Sequence, residues 1–522
     1  MSPSSRRPTA LVGAIVLAVA FTLTGCGSRL PYSKVLAENA ALGINTTQAT
    51  IANPTGGNAD TGGATLTGGS SSAESSGADS TSSPIGSVTG SANGNVSSAG
   101  NISGGSTTGS NSSSSSVPLS GVTTPSSGSG TASSGSGTGD TPSSGQPASD
   151  GPATGSVVNI GQLGTNTGLV GSLLGGGRTG AEIWAAYVNQ HGGLNGHRVN
   201  LITADDGGDP STGLAEIQTM VQQDHIIAMV ASDDALSEPA IAPYLDSVHV
   251  PDIGGDDVVS DWFSNSMFFP NSASARIGLD GEIQAVVAKG DTKIATVYCV
   301  EFALACSDAN TVIVDDAASL GAKVIYSSSA SLAQPDFTSD CLAAKEAGAT
   351  AFLVQMDPNS ILRLTSDCAN QDYYPEYCFF GLVFVSSLLS PNTIGAVGAS
   401  TVFPYTVVAP QTRAFDTAVQ DATGGPPIEQ FEAIAWVAGL VLQTASADLP
   451  ASSPTAADVL SGLYKIKDDT FGGLTSPMSY SPGQPTTSPT CYWLMGVGKN
   501  GLEATDGLVP HCLPSSYSPA TP

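Results

Sequence analysis

The sequence predicts an α/β protein built on parallel sheets and preceded by a long tether. Three observations carry that expectation. Short β-branched runs alternate with helical stripes along the C-terminal part of the chain. One stripe passes through a glycine pair and an Asn-Gly turn straight into the next apolar run. Ahead of these elements lie about a hundred residues with almost nothing a core could use.

Arg6 and Arg7 precede an apolar run from Ala10 to Leu23 that is too short to span a bilayer comfortably, so residues 1–25 read as a signal peptide. The run closes in Leu23-Thr24-Gly25-Cys26, which resembles the lipobox of bacterial lipoproteins. That resemblance implies a lipidated Cys26 as the mature N-terminus and a membrane held through the lipid. An ordinary signal peptide with a chance cysteine is the rival reading. "RRPTAL" lacks the rest of a twin-arginine pattern and leaves the export route open.

Residues 26–154 form the lipidated N-terminus and linker. From about Ile51 to Gly155 the chain is Ser, Gly and Thr with Asn and Pro, has no aromatic residue, and carries only Asp60, Glu74, Asp79, Asp140 and Asp150 as charges. Such a composition cannot offset the entropy of ordering, and a coil of this length spans roughly 50–60 Å.

Residues 155–522 hold nearly all the aromatic content and suffice for one large domain or two lobes. Twelve Lys and Arg stand there against 38 Asp and Glu, a net charge near −26. A surface this acidic repels nucleic acid and anionic lipid, which excludes nucleic acid as a partner. After Cys26 seven cysteines remain, in keeping with an oxidising compartment. Cys299 and Cys306 can close a small loop. Cys491 and Cys512 flank a hairpin turning at Gly498–Gly501. Cys341 and Cys368 fall in successive helices of one βαβ unit and can meet, leaving Cys378 unpaired. A zinc site is the rival, but no C-x-x-C occurs and only His511 neighbours a cysteine.

The strand runs, in order, are "SVVNIGQL", "RVNLITA", "IIAMVAS", "KIATVYCV", "AKVIYS", "TAFLVQM" and "YCFFGLVF". In the first intervening helix Ile183, Trp184, Tyr187 and Val188 share a face, and Gly192 or Gly193 supplies a left-handed C-cap. The tight "LNG" turn then reverses the chain into the neighbouring strand. The second helix takes Asp209 as N-cap and Pro210 as its first residue, with Leu214, Ile217, Met220 and Val221 as the apolar stripe.

The stretch "AAYVNQHGGLNGHRVNLITADDGGDPSTGLAEIQTMVQQDHIIAMVAS" resembles the first lobe of type 1 periplasmic binding proteins, the branched-chain amino acid binding family of transport systems. Asn189, Gly192, Gly193, Gly196, Asp205, Asp206 and Pro210 carry the resemblance. It continues through "APYLDSVHVPDIG", "DFTSDCLAAKEAGATAFLV" and "DCANQDYYP". The family implies two Rossmann-like lobes with parallel sheets, joined by a three-crossing hinge around a ligand cleft. By position lobe 1 takes residues 155–270 and 405–487, lobe 2 takes 271–404 and 488–516, and 517–522 form a tail. Crossings fall near Phe269–Ser272, Phe403–Thr406 and Thr487–Cys491. The implied role is an extracytoplasmic solute-binding lipoprotein, with ABC permease subunits as partners and no reaction of its own.

Motifs for catalysis and cofactors are missing. Gly175, Gly177 and Gly180 satisfy G-x-G-x-x-G, yet some twelve residues separate them from the preceding strand, so a dinucleotide turn is not formed; they line a cleft loop or make it pliable. No G-x-S-x-G occurs in the folded part, and no H-E-x-x-H, P-loop or EF-hand loop appears. No cofactor is expected. A secreted hydrolase with an unrecognised site is the enzymatic alternative.

Three aspartate pairs, Asp205-Asp206, Asp233-Asp234 and Asp256-Asp257, each follow a first-lobe strand. Ligands in parallel α/β sheets bind outside the carboxyl ends of strands, so the second and third pairs approach one crevice; helix caps and turns are their structural alternative. Amino acid binders of this family hold the α-carboxylate with hydroxyl and backbone donors in these two loops. An ionised Asp there would repel an anion by ~4 kcal/mol at an intermediate dielectric. The acidic residue that the family offers to an amino group is also not evident in "LVFVSS", Leu382–Ser387. The expected ligand is therefore neutral or cationic (an amide, an amino acid-like or a cationic solute), with or without a divalent ion. Ser232, Asp233, Asp234, Ser237, Gly255, Asp256 and Asp257 are its first-lobe contacts. Trp262 and Phe263 either cap the cleft or pack beneath a loop. Glu301, Phe302, Asp357, Asn359, Phe384 and Ser386 occupy the corresponding strand ends of the second lobe.

Overall fold

A computed structural model describes residues 151–168, 171, 176–514 and 517. The signal peptide, the lipidation of Cys26 and all but the end of the linker lie outside the described residues. Residues 151–155 belong to the folded body, since Ala153 N–H donates to Asn189 O at 2.9 Å and Gly155 N–H to Gly196 O at 2.7 Å.

The first sheet is built from β1 (Val157–Gly164), β2 (Arg198–Asp205), β3 (Met229–Ser232), β4 (Asp252–Gly255) and β5 (Phe268–Phe269), in the order β2-β1-β3-β4-β5. All its pairings are parallel. Between β1 and β2 runs α1 (Gly176–Gln190), which buries Ile183, Trp184 and Val188, with Tyr187 half-buried beside them. Beyond it Gly192 and Gly193 take φ of 94° and 69°, and Asn195 and Gly196 take 48° and 90°. Leu194 and His197 exchange both backbone hydrogen bonds at 2.9 Å, which closes a two-residue turn with both central residues left-handed. A methyl at Gly193 would collide with His197 O in addition to its left-handed strain. Gly193→Ala should lower stability by about 1–2 kcal/mol, read as a drop of several degrees in Tm; an unchanged Tm would show that this turn does not limit the fold.

Helix α2 (Pro210–Gln222) is capped by Asp209, whose carboxylate accepts from Ser211 and Thr212 N–H at 2.9 Å. It covers one face of the sheet with α3 (Glu238–Val248), while α1 and the later α10 (Gln430–Ala445) cover the other. Helix α10 is buried on nearly every side and mostly apolar, as suits a helix between a sheet and other helices, with Gln430 and Glu432 as its buried polar residues. It meets α1 at Gly180, whose Cα faces the backbone of Glu432, and at Gly439, which lies against the Trp184 ring. A short α4 (Asp261–Ser264) precedes β5.

The second sheet comprises β6 (Lys293–Cys299), β7 (Lys323–Ala330), β8 (Ala351–Gln355), β9 (Glu376–Phe380), β10 (Val397–Ser400), β11 (Cys491–Val497), β12 (Leu502–Ala504) and β13 (His511–Cys512). Its core order, β7-β6-β8-β9-β10, repeats the winding of the first sheet, and β11 and β12 extend the edge antiparallel beyond β10. Helices α5 (Ala275–Ala288) and α6 (Ala309–Asp316) pack on one face, α7 (Thr338–Ala347) and α8 (Pro358–Asn370) on the other. The strand expected over "YCFFGLVF" stops at Phe380 and continues as a 3-10 turn over Gly381–Val383, where a side chain at Gly381 would strike Ala399 O. Disulfides join Cys299 to Cys306, Cys341 to Cys368 and Cys491 to Cys512, with Cα–Cα distances of 5.1, 4.9 and 3.9 Å, and Cys378 is a buried free thiol.

The chain passes between the sheets after β5, between β10 and α9 (Arg413–Thr423), and between α11 (Ala456–Leu463) and β11. These passages are tied side by side. Tyr480 Oη donates to Pro270 O and Thr475 Oγ1 to Asn271 O, both at 2.7 Å, and Phe403 N–H donates to Leu474 O at 2.9 Å. None of the described helices is long and apolar enough to cross a membrane.

Candidate functional site

In a sheet wound β2-β1-β3-β4, the crevice opens at the carboxyl ends of β1 and β3, where the winding reverses. There Gly164 bridges to Asp233. Two left-handed residues, Ala231 (φ 53°) in β3 and Gly254 (φ 62°) in β4, drop out of the ladder between the pairs Val230–Ile253 and Ser232–Gly255. The segments leaving these two strands carry Asp233, Asp234, Asp256 and Asp257, the last at φ 50°.

The structure brings these four carboxyls together with two that sequence reasoning did not select, Glu238 in the first turn of α3 and Asp252 at the start of β4. All six are buried, none more than 5% exposed. Asp256 is the centre, because its charge opposes ionisation of each of the other five. Burial first, and then this mutual repulsion, raises Asp233, Asp234, Glu238 and Asp257 well above the carboxylate range. Burial pushes Asp252 and Asp256 up to about 7. None of the ion pairs formed among the described residues includes any of them.

Partial hydrogen bonding holds the group in place. Ser232 Oγ donates to both oxygens of Asp252 at 2.8 and 2.9 Å, Ser272 Oγ to Asp257 at 2.5 Å, Val258 N–H to Asp256 at 2.9 Å, and Trp262 Nε1 to Glu238 at 2.7 Å. Five buried oxygens are left without a partner: Asp233 Oδ2, Asp234 Oδ1, Glu238 Oε2, Asp256 Oδ2 and Asp257 Oδ1. On neighbouring β1 the fully buried Gln162 donates its amide to Leu163 O and Ala231 O and leaves Oε1 unpartnered.

Of the glycines of "GGGRTG", Gly175 lies outside the described residues, and the others open α1. Gly177 lies so close to Asp233 Oδ2 that any side chain would overlap it, a side chain on Gly176 would strike the Glu429 carboxylate, and one on Gly180 would meet the Ala435 methyl and the backbone of Glu432. At Gly176 and Gly177 the start of α1 is therefore stripped of side chains to approach two carboxylates, a surrounding that would repel a phosphate, while Gly180 lets α10 pack close. Glu432, buried on α10, is pushed up to about 7 by burial and by Glu429.

Other expected contacts are occupied locally. Ser237 Oγ donates to Asp206 at 2.5 Å. Trp262 is fully buried, edge-on to Phe268, so it packs beneath the loop and does not cap a cleft. Gly255 backs onto the Trp262 ring and Ser232 O. In the second sheet Glu301 braces a loop by accepting from Ser331 Oγ at 2.6 Å and Leu332 N–H at 2.9 Å. Asp357 caps α8 through the N–H groups of Asn359 and Ser360. Phe302 and Phe384 are buried, the latter against Phe379, and Ser386 is an exposed residue of a 3-10 turn. The structure shows no hydrogen bond from these second-sheet residues to the first-sheet carboxyls. Asp252 was legible as a charge inside the apolar run "VHVPDIGG", and Glu432 as one inside "FEAIAWVAGLVL"; nothing marked Glu238 apart from an ordinary first-turn acid.

Two doubly wound sheets linked by three passages, with polar side chains gathered at a strand-end crevice, define a two-lobed α/β binding protein. A family model described as Periplasmic binding protein matches residues 157–503, and the chain belongs to that family. Its fold is shared with an extracellular ligand-binding receptor from Verminephrobacter eiseniae at 18% identity, covering 66% of this chain and 99% of that one with a TM-score of 0.57. A possible leucine/isoleucine/valine-binding protein from Rhodopirellula baltica is similar at 15% identity, with 68% and 97% coverage and a TM-score of 0.59. So is a solute binding protein of an ABC transporter from R. palustris, in complex with benzoate, at 13% identity, 69% and 98% coverage and a TM-score of 0.55. No curated protein matches the chain.

Proposed function

We propose that this chain is the extracytoplasmic solute-binding lipoprotein of an ABC-type uptake system, holding a small molecule between two lobes and handing it to a membrane permease. Cys26 carries the lipid, residues 26–154 act as tether, and no bond is made or broken in the bound solute. The observation that carries this reading is the carboxyl cluster at the switch point of the first sheet, within a fold whose family is made of binding proteins. Asp233, Asp234, Asp256 and Asp257 face the ligand, and Ser232, Ser237 and Trp262 hold neighbouring carboxyls in place.

A ligand that binds only the folded state raises stability by ~2.7 kcal/mol at one hundred times its Kd. Thermal unfolding of the mature chain against amino acids, amides, amines, sugars and calcium should give one dominant shift. Release of a chemically altered product from that compound would replace this reading with the hydrolase alternative. A ligand-sensing lipoprotein without a transporter is the second reading; permease and ATPase genes beside this one decide between the two.

A further inference from the structure

Resting on the solute-binding reading, we infer that the ligand is an organic cation bearing two or more amino or guanidino groups. The argument begins with supply and demand of hydrogen bonds. Buried polar atoms in folded proteins are nearly always paired, yet five carboxyl oxygens and Gln162 Oε1 lack a partner within one region. The carboxyl oxygens accept when ionised and the Gln162 amide oxygen accepts at any pH, and among the described residues no Lys or Arg forms an ion pair with the carboxyls. What the region lacks is a set of N–H donors with positive charge. A guanidinium offers five and a primary ammonium three, whereas a carboxylate, a sulfate or a neutral aliphatic chain offers none.

The arrangement also argues for more than one cationic group. Acidic neighbours form a continuous series, from Glu432 and Glu429 at the start of α10, through Asp233 beside Gly177, to Asp256 and then Asp234, Glu238, Asp252 and Asp257. Gln162 lies along this series: its amide nitrogen and Asp233 Cβ both stand within 4 Å of where a side chain on Gly164 would begin. One compact charge cannot sit against both ends, but a chain with spaced amines can. A bare metal ion fits less well, since among the described residues no three His, Cys, Asp or Glu side chains converge as ligands.

Binding such a cation favours the ionised carboxyls and so expels protons. Titration calorimetry of the full mature chain at pH 7 with spermidine, putrescine and arginine, in two buffers of different ionisation enthalpy, tests this. We expect a saturable signal whose enthalpy changes with the buffer, showing proton release, and affinity that strengthens from pH 6 to pH 8. Asp234→Asn and Asp256→Asn should weaken the best amine at least tenfold while folding normally by circular dichroism; Glu346→Gln, on exposed α7 surface, should not. Leucine, glutamate, benzoate and calcium chloride form the comparison arms. Tighter binding of leucine, glutamate or benzoate than of any amine would overturn the cation assignment and leave the solute-binding reading standing. Calcium chloride acting as strongly as the amines would also overturn it, in favour of a metal. No binding in any arm would overturn both.

Discussion

The protein should become more stable as the solution is acidified from pH 8 to pH 5. Six carboxyls in one region have folded pKa values above the unfolded values near 4, chiefly through burial. A group raised in this way binds its proton more tightly in the folded state. Its contribution is therefore complete below the unfolded pKa and is lost as pH rises through the folded one. For Asp252 and Asp256 that loss runs from about pH 4 to about pH 7, and for the others it continues higher. A single group moved from 3.8 to about 7 accounts for roughly 4 kcal/mol across its window. Because the groups repel one another, the six do not add fully, but calorimetry should still show Tm higher by roughly 10 °C or more at pH 5 than at pH 8. A flat or inverted profile would mean that the carboxyls are not buried together in the unliganded protein. The same scan with a saturating amine should be flatter, since bound positive charge supplies what protons supply at low pH.

Neutralising the centre of the cluster should stabilise the protein. Asp256→Asn keeps the acceptor for Val258 N–H and removes the charge that opposes ionisation of five neighbours. At pH 8 we expect a gain of about 2–4 kcal/mol in unfolding free energy and a shallower pH profile, against the usual loss for substitution of a buried polar residue. A loss of stability at pH 8 would place a compensating cation or tightly held water at Asp256. Stability gained by deleting a binding group is the common signature of a site whose arrangement serves the ligand and not the fold.

Much of the site was legible because the signals were local. Asp209 read as a cap and is one; the Gly192–Gly196 turn read as left-handed and is; the aspartate pairs read as strand-end residues, and they leave β2, β3 and β4. Trp262 could not be placed, because an aromatic residue in a polar stretch is equally compatible with a lid and with packing under a loop; only the Glu238 carboxyl waiting for its Nε1 shows the second. Serines 232 and 237 read as ligand contacts, and their hydroxyls donate to Asp252 and Asp206, partners that only the fold brings beside them.

The order of residues alone determined the alternation of strand and helix, the turns, the cysteine pairs near in sequence and the acidic excess, since each follows from spacing, backbone preference or composition within a few residues. Tertiary structure alone decided which of 38 acids in the folded part share one buried region, why glycines open α1, and that among the described residues no basic side chain pairs with those acids. Those facts depend on residues brought together from Gln162 to Glu432 by parallel winding, and the energy of a charge is set by what surrounds it in space, not by its neighbours along the chain.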